Sequence, residues 1–216
     1  MDNISLFEKG LKEIDISCSE GQINAFMTCL SELKKWNRVY NLTALKTDED
    51  IIVKHFLDSL LYLRAIPEGA LKLADIGAGA GFPGIPVKII RPETDITLIE
   101  SSGKKAAFLR HIIRLLKLSA INVLEQRAEY LGKGLEKNYD VIVSRATFSI
   151  KGFLKTACPY VKENGILVLS KGPKVSEELK KIERSPYAKG AVRETLKLQL
   201  PLTKAERNLI ILSCRM

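Results

Sequence analysis

A glycine-rich turn set between an apolar run and a helical stretch constrains this chain more than any other feature. The segment 73–84 reads LADIGAGAGFPG and follows the apolar run 71–76. Gly77, Gly79 and Gly81 alternate, and Gly84 follows. A chain that leaves a strand, turns sharply and enters a helix has little room for Cβ atoms. Glycine permits both the turn and the approach of a ligand to the backbone. The free N–H groups that open the next helix then face whatever binds there. A tight turn with no ligand is the alternative, and four glycines in eight residues argue against it.

The pattern around this turn sets the fold class. From residue 71 on, short apolar runs recur at 71–76, 96–100, 121–124, 139–144, 166–170 and 209–213. Helical stretches separate most of them, near 86–90, 103–118, 151–161 and 175–184. Strands alternating with helices predict an α/β protein with a mostly parallel sheet covered on both faces. A seventh run, 195–200, lies too close to 209–213 for a crossover helix, so the sheet should end in an antiparallel hairpin. Residues 1–69 read as an N-terminal helical extension and 70–216 as the α/β core. One helix is expected over 20–36, with Ile23, Phe26, Met27, Leu30 and Leu33 on one face and a Ser19–Gln22 capping box. A second is expected over 47–65, opened by Asp48, Glu49 and Asp50 and ended by Pro67 and Gly69.

Composition excludes several classes. No run of about 18 apolar residues exists, so no membrane span is expected. The first ten residues carry Asp2 and Glu8 and no apolar core of a signal peptide, which points to the cytoplasm. Cys18, Cys29, Cys158 and Cys214 form no CxxC pair, and only two histidines accompany them. No metal site is expected from such scattered ligands, and reduced, mostly buried thiols are expected instead of disulfides. The net charge of +9 is unevenly placed. Residues 1–70 hold 8 basic and 11 acidic side chains, whereas 71–216 hold 26 basic and 14 acidic. A polyanion-binding surface would require such an asymmetry.

Gly79, Gly81 and Gly84 fit the dinucleotide pattern G-x-G-x-x-G. Asp75 argues for another cofactor. It creates D-x-G-x-G-x-G, and a negative charge suits a pyrophosphate poorly. In methyltransferases an acid at this place helps to organise the loop beside the methionine part of S-adenosylmethionine. Glu100 ends the second run, where its carboxylate can accept from both ribose hydroxyls of either cofactor.

Beyond the loop, the chain carries KWNRVYNLT at 35–43, HFLDSL at 55–60, LIES at 98–101 with Lys104 and Lys105, RAE at 127–129, SRA at 144–146 and Lys171-Gly172. In this order the blocks resemble the bacterial 16S ribosomal RNA guanine-N7 methyltransferases, the glucose-inhibited division B family. The resemblance spans most of the chain. It implies a Rossmann-like class I methyltransferase with a seven-stranded sheet and S-adenosylmethionine as cofactor. It further implies that Asp75, Gly77, Gly79 and Phe82 line the cofactor at the loop, beside Glu100. Ala128 and Glu129 would read the adenine, and Arg145 would sit at the mouth between cofactor and substrate. The substrate would be 16S ribosomal RNA or the small ribosomal subunit, bound by a monomer. Simpler readings stand beside these: Phe82 as helix packing, Glu129 as an exposed helix start, and Arg145 as a solvated or paired cation. Trp36 and Asn41 are expected to pack the helical part onto the sheet. His55 and Asp58, three apart, are expected to form a hydrogen-bonded pair that fixes their helix.

Methyl transfer to guanine N7 needs no general base, since N7 carries a lone pair and no proton. No catalytic acid or base is therefore expected, only proximity and orientation. The segment 144–148, SRATF, lacks the N/D-P-P-Y/F motif of amine methylation, and Cys158 lies late in an expected helix, poorly placed for a nucleophile. An RNA surface is expected from Lys104, Lys105, Arg110, Arg114, Lys117 and Lys171, with further charge from Lys174, Lys180 and Lys181. Arg110, Arg114 and Lys117 would form one stripe opposite buried Phe108, Ile112, Leu115 and Leu116. Three other readings compete: a methyltransferase acting on a small molecule or protein, an NAD-dependent oxidoreductase, and a non-enzymatic RNA-binding protein.

Overall fold

The computed structural model describes residues 2–145, 148–184 and 190–214. Ala146 and Thr147 of the SRATF segment, and the Lys174 side chain, lie outside the described part. Seven strands form one sheet: β1 (Lys72–Ile76), β2 (Asp95–Ile99), β3 (Ile121–Leu124), β4 (Tyr139–Arg145), β5 (Val161–Lys171), β6 (Val192–Gln199) and β7 (Glu206–Leu212). Their order is β3-β2-β1-β4-β5-β7-β6. The first five strands run parallel. β7 runs antiparallel between β5 and β6, as the short β6–β7 link demands. Strand order reverses between β1 and β4, which opens a crevice at their carboxyl ends.

Helices cover both faces. Successive strand residues point to opposite sides, so Leu73, Leu98, Val141 and Val143 enter one core while Ala74, Ile76, Ile99 and Ile142 enter the other. The first core lies under α1 (Asn3–Glu13), α2 (Glu20–Tyr40), α5 (Gly84–Ile90) and α6 (Gly103–Leu115). The second lies under α7 (Ile150–Ala157) and α8 (Ser176–Glu183). The rings of Phe7 and Phe26 meet at 4.6 Å, and Phe26 meets Phe56 at 5.2 Å. Each such ring contributes about 1.5–3 kcal/mol by leaving water. These three residues join the N-terminal helices, and the same cluster continues into the sheet.

Several local expectations hold. The Ser19–Gln22 capping box opens α2, and Trp36 packs on Phe108 at 5.6 Å and His111 at 5.2 Å, seating α2 on α6. Asn41, expected to pack the helical part onto the sheet, is instead exposed and closes α2 in the left-handed region at φ 50°. Others are corrected. The first helix, α1, lacked a pattern recognised in the sequence. The stretch 48–64 is helical but not one regular helix. It passes from α3 (Asp48–Ile51) through a π turn (Ile52–Leu57) to α4 (Asp58–Leu60) and a 3₁₀ turn (Leu61–Arg64). Gly10 of α1 packs against that π turn so closely that a Cβ would stand 2.1 Å from Leu57 Cδ1. α6 ends at Leu115, so Leu115 is exposed and Lys117, at φ 51°, lies beyond the helix. The basic stripe is thus shorter than its spacing predicts.

The cysteines bring the clearest correction. Cys158 and Cys214 form a disulfide, with Cα atoms 5.5 Å apart. They are 56 residues apart in sequence, and only the antiparallel return of β7 brings its end beside the end of α7. Cys18 and Cys29 are free.

Candidate functional site

The glycine loop lies at the carboxyl end of β1, in the crevice beside β4. Gly77, Gly79 and Gly81 all take positive φ, at 73°, 60° and 96°. The N–H groups of Gly77 and Ala78 both donate to the Ile99 carbonyl, which binds the loop to the end of β2. Two carboxylates hold the rest. Asp75 Oδ2 accepts from the Gly84 N–H at 2.8 Å, across the whole turn. Glu100 accepts from the Gly79 N–H through Oε2 and from the Ser102 N–H through Oε1, each at 2.8 Å.

These carboxylates also qualify the site for a ligand. Asp75 is fully buried, and among the described residues its Oδ1 has no hydrogen-bond partner. Burial pushes its acid up to about 7, against the opposing influence of the Gly84 N–H and the Arg145 charge, with Glu100 adding to the rise. A buried acceptor without a donor is costly unless something else supplies one. Each oxygen of Glu100 keeps a second acceptor direction for a hydroxyl. A Cβ on Gly79 would find only the Gly77 carbonyl, 3.9 Å away. Open backbone, a buried acceptor and a second carboxylate suit a cofactor with amine and ribose donors. An unpaired buried acid suits a pyrophosphate badly, which weighs against the dinucleotide reading.

Ala128 is buried and Glu129 exposed on the short 3₁₀ turn (Ala128–Tyr130) after β3. Tyr130 beside them is 74% exposed. Phe82 is buried, and its ring stacks on His55 at 4.3 Å and 9°. Its packing against the N-terminal helices is therefore real. Arg145 is paired: its Nη1 donates to the Lys54 carbonyl at 3.0 Å, its Nη2 to His55 Nδ1 at 2.8 Å, and Asp58 Oδ2 lies 3.5 Å away.

The expected His55–Asp58 hydrogen bond is not found among the described residues. A π turn widens the helix, so side chains three apart diverge. His55 turns to Thr43 and Arg145, and Asp58 to Arg145 and Arg207. Sequence reasoning missed Arg207, which arrives from β7 and has no local signal. It also missed Tyr62, whose hydroxyl donates to the Ser144 carbonyl at 2.7 Å under the end of β4.

The basic residues are less uniform than their spacing suggests. Lys104, Arg114 and Lys117 are exposed, and Lys105 is half-buried. Arg110 pairs with Glu125 at 2.7 Å. Lys171 is held by the Phe148 carbonyl and by Glu178 at 3.1 Å. Among the described residues no cluster of metal-binding side chains occurs, and no helix is long and apolar enough to cross a membrane.

A mostly parallel sheet ending in a hairpin, with an acidic glycine loop at its switch point, defines a Rossmann-like class I methyltransferase whose cofactor is S-adenosylmethionine. The family model for rRNA small subunit methyltransferase G (GidB) matches residues 22–210, and the chain belongs to that family. It is 38% identical over 208 residues to a ribosomal RNA small subunit methyltransferase G of Geobacter sp. (strain M21), covering 96% of this chain and 95% of the relative. It is 36% identical over 216 residues to the protein of that name from Clostridium botulinum (strain Loch Maree / Type A3), covering 98% and 90%. Among solved structures, a SAM dependent methyltransferase from Aquifex aeolicus shares the fold with a TM-score of 0.57 at 18% identity, covering 85% of this chain and 98% of that one. TYW2 from M. jannaschii, in complex with AdoMet, shares it with a TM-score of 0.54 at 15% identity, covering 73% and 74%.

Proposed function

We propose that this enzyme methylates N7 of one guanine in 16S ribosomal RNA, acting as a monomer in the bacterial cytoplasm. The observation that carries the reading is the glycine loop bound by Asp75 and Glu100 in a chain of the rRNA small subunit methyltransferase G family. The N7 assignment rests on the family resemblance and on the missing amine-methylation motif.

S-adenosylmethionine supplies an electrophilic methyl group on a sulfonium. N7 attacks with an in-plane lone pair and loses no proton, so the protein need only orient the two reactants and exclude water. The site agrees. Burial and the Arg145 charge push His55 down to about 3, too weak a base to assist. Asp75 spends one oxygen on the Gly84 N–H. The exposed Lys104, Arg114 and Lys117 give RNA phosphates a contact surface, and log affinity should then fall steeply with log salt.

The test is incubation with tritium-labelled S-adenosylmethionine and small subunits or 16S RNA from cells lacking the enzyme, followed by nucleoside analysis. Label in 7-methylguanosine alone is expected. Label in another nucleoside would remove the N7 assignment. No label in RNA, with cofactor binding intact, would move the substrate to a small molecule or a protein.

A further inference from the structure

Arg145 ends β4 but is enclosed by the N-terminal helices. Besides its bonds to Lys54 and His55, its guanidinium lies 5.3 Å over the Phe82 ring, which itself stacks on His55. An arginine can only donate, so His55 Nδ1 must be the lone-pair nitrogen. The ring proton of a neutral imidazole then sits on Nε2, which donates to Thr43 Oγ1 at 2.8 Å. The Thr43 N–H in turn donates to Asn37 Oδ1 at 2.9 Å. A polar chain thus runs from α2, through the 41–46 loop and the π turn, to the end of β4. It joins the WNxxxNLT and HFLDS blocks, neither of which forms the cofactor loop.

We propose that His55 is a positioning residue: it orients the Arg145 guanidinium beside the glycine loop, so that the N-terminal helices complete the active site. This rests on the methyl-transfer reading above. A carboxylate alone would suffice to neutralise Arg145, and Asp58 is already present at 3.5 Å. A neutral imidazole instead fixes the direction of the guanidinium without cancelling its charge. The π turn carries the histidine, and such turns are frequent at functional sites. Burial and the Arg145 charge both hold the imidazole in its neutral form. The charged group that meets it is Arg145 from β4, backed by Asp58 from its own segment and by Arg207 from β7 through Asp58, while the Lys54 ammonium is held by Asp50.

Two variants separate direction from packing. His55→Asn puts an acceptor where Nδ1 stands. His55→Phe keeps a ring on Phe82 and has no acceptor. We expect H55F to lower kcat by about 30-fold or more with the RNA KM changed less than about 3-fold, and H55N to recover most of the loss. Adding Arg145→Lys to H55F should cost no more than R145K alone, the signature of residues acting as one unit. Equal losses in H55F and H55N, or additive losses in the double variant, would overturn the proposal. A second readout needs no substrate. The chain has two histidines, so nitrogen-15 imidazole spectra of the ligand-free enzyme are simple to assign. His55 should show a proton on Nε2 at pH 5, and R145K should shift its Nδ1 signal. A signal indifferent to R145K would also sink the proposal. Failure of the wild-type enzyme to label RNA would instead count against the function, leaving the imidazole result to stand by itself.

Discussion

Arg207 Nε lies 2.7 Å from Asp58 Oδ1, which ties the C-terminal hairpin to the helical segment 149 residues earlier. The carboxylate is nearly buried, and its other oxygen lies 3.5 Å from Arg145. Removing the carboxylate leaves two arginines facing each other without their shared partner. Because the arginines stay partly solvated, Asp58→Ala should destabilise by about 2–4 kcal/mol, short of the upper range for fully buried pairs. Arg207→Ala should cost less, since Asp58 keeps Arg145. Urea unfolding midpoints at constant slope would measure both. Equal effects of the two variants would show that Asp58 does not serve Arg145.

Asp75 makes cofactor affinity depend on pH. Its acid is held up at about 7 by burial, so below that pH the ligand-free enzyme keeps it protonated. A donor bound at Oδ1 favours the ionised form, and binding then expels a proton. The affinity for S-adenosylhomocysteine should therefore climb as pH rises toward about 7, by up to about tenfold per pH unit, and level off above it. Stability of the ligand-free protein should move the other way. The folded state binds this proton more tightly than the unfolded chain, so the Asp75 contribution is present below about pH 4 and is lost as pH rises through about 7. Asp75→Asn keeps an acceptor for the Gly84 N–H and should flatten both dependences. Calorimetry in buffers of different ionisation enthalpy would detect the released proton. No proton release below pH 7 would remove Asp75 from the ligand's contacts.

Two glycines of the loop should fail for different reasons. A Cβ on Gly84 would stand 2.4 Å from Leu98 Cδ2 and 3.0 Å from Asp75 Oδ2, so Gly84→Ala overpacks the base of the loop. A loss of about 1–3 kcal/mol in stability is expected. Gly79 stands in open space at φ 60°. Gly79→Ala should cost about 1–2 kcal/mol of backbone strain, while its Cβ enters the space of ligand approach. Its loss of S-adenosylhomocysteine affinity should exceed that of G84A relative to the stability each loses. Parallel thermal and titration measurements compare the two. The reverse ranking would place the ligand away from Gly79.

What could be read in the sequence was what repeats locally. The alternation of 96–100 with 103–118, the glycines at 77–84 and the Ser19–Gln22 box each depend on neighbours within one turn or strand, and each element appears, though the helix expected over 103–118 stops at Leu115. The hairpin followed from the short gap between β6 and β7. Of the site, Asp75 meets the loop it was expected to organise, whereas the bond of Glu100, expected at ribose hydroxyls, to the Gly79 N–H had no signal in the sequence. The partners were not legible. Arg207 reaches Asp58, Tyr62 reaches Ser144 and Cys158 reaches Cys214 only after the sheet has formed. The π turn was hidden for another reason: the apolar spacing of Ile52 and Phe56 fits a regular helix, and the widened turn shows only in the packing against Gly10.

The Cys158–Cys214 bond should matter to stability and not to catalysis. It joins the end of α7 to the residue region after β7, at the edge where β5 begins. The glycine loop lies at the opposite edge, beyond the carboxyl end of β1. Bridging residues 56 apart restricts the unfolded chain, and the chain-entropy estimate for that loop is about 4 kcal/mol. Measured values often fall below it, so Cys214→Ser or reduction should lower the unfolding free energy by about 2–4 kcal/mol. The affinity for S-adenosylhomocysteine should stay within about twofold, because no residue of the loop shares a partner with either cysteine. Urea titrations with and without dithiothreitol, read beside ligand titrations on the same samples, would decide. Unchanged stability on reduction would mean that the thiols are not joined in solution, and a large loss of ligand affinity would mean that the two edges of the sheet are coupled.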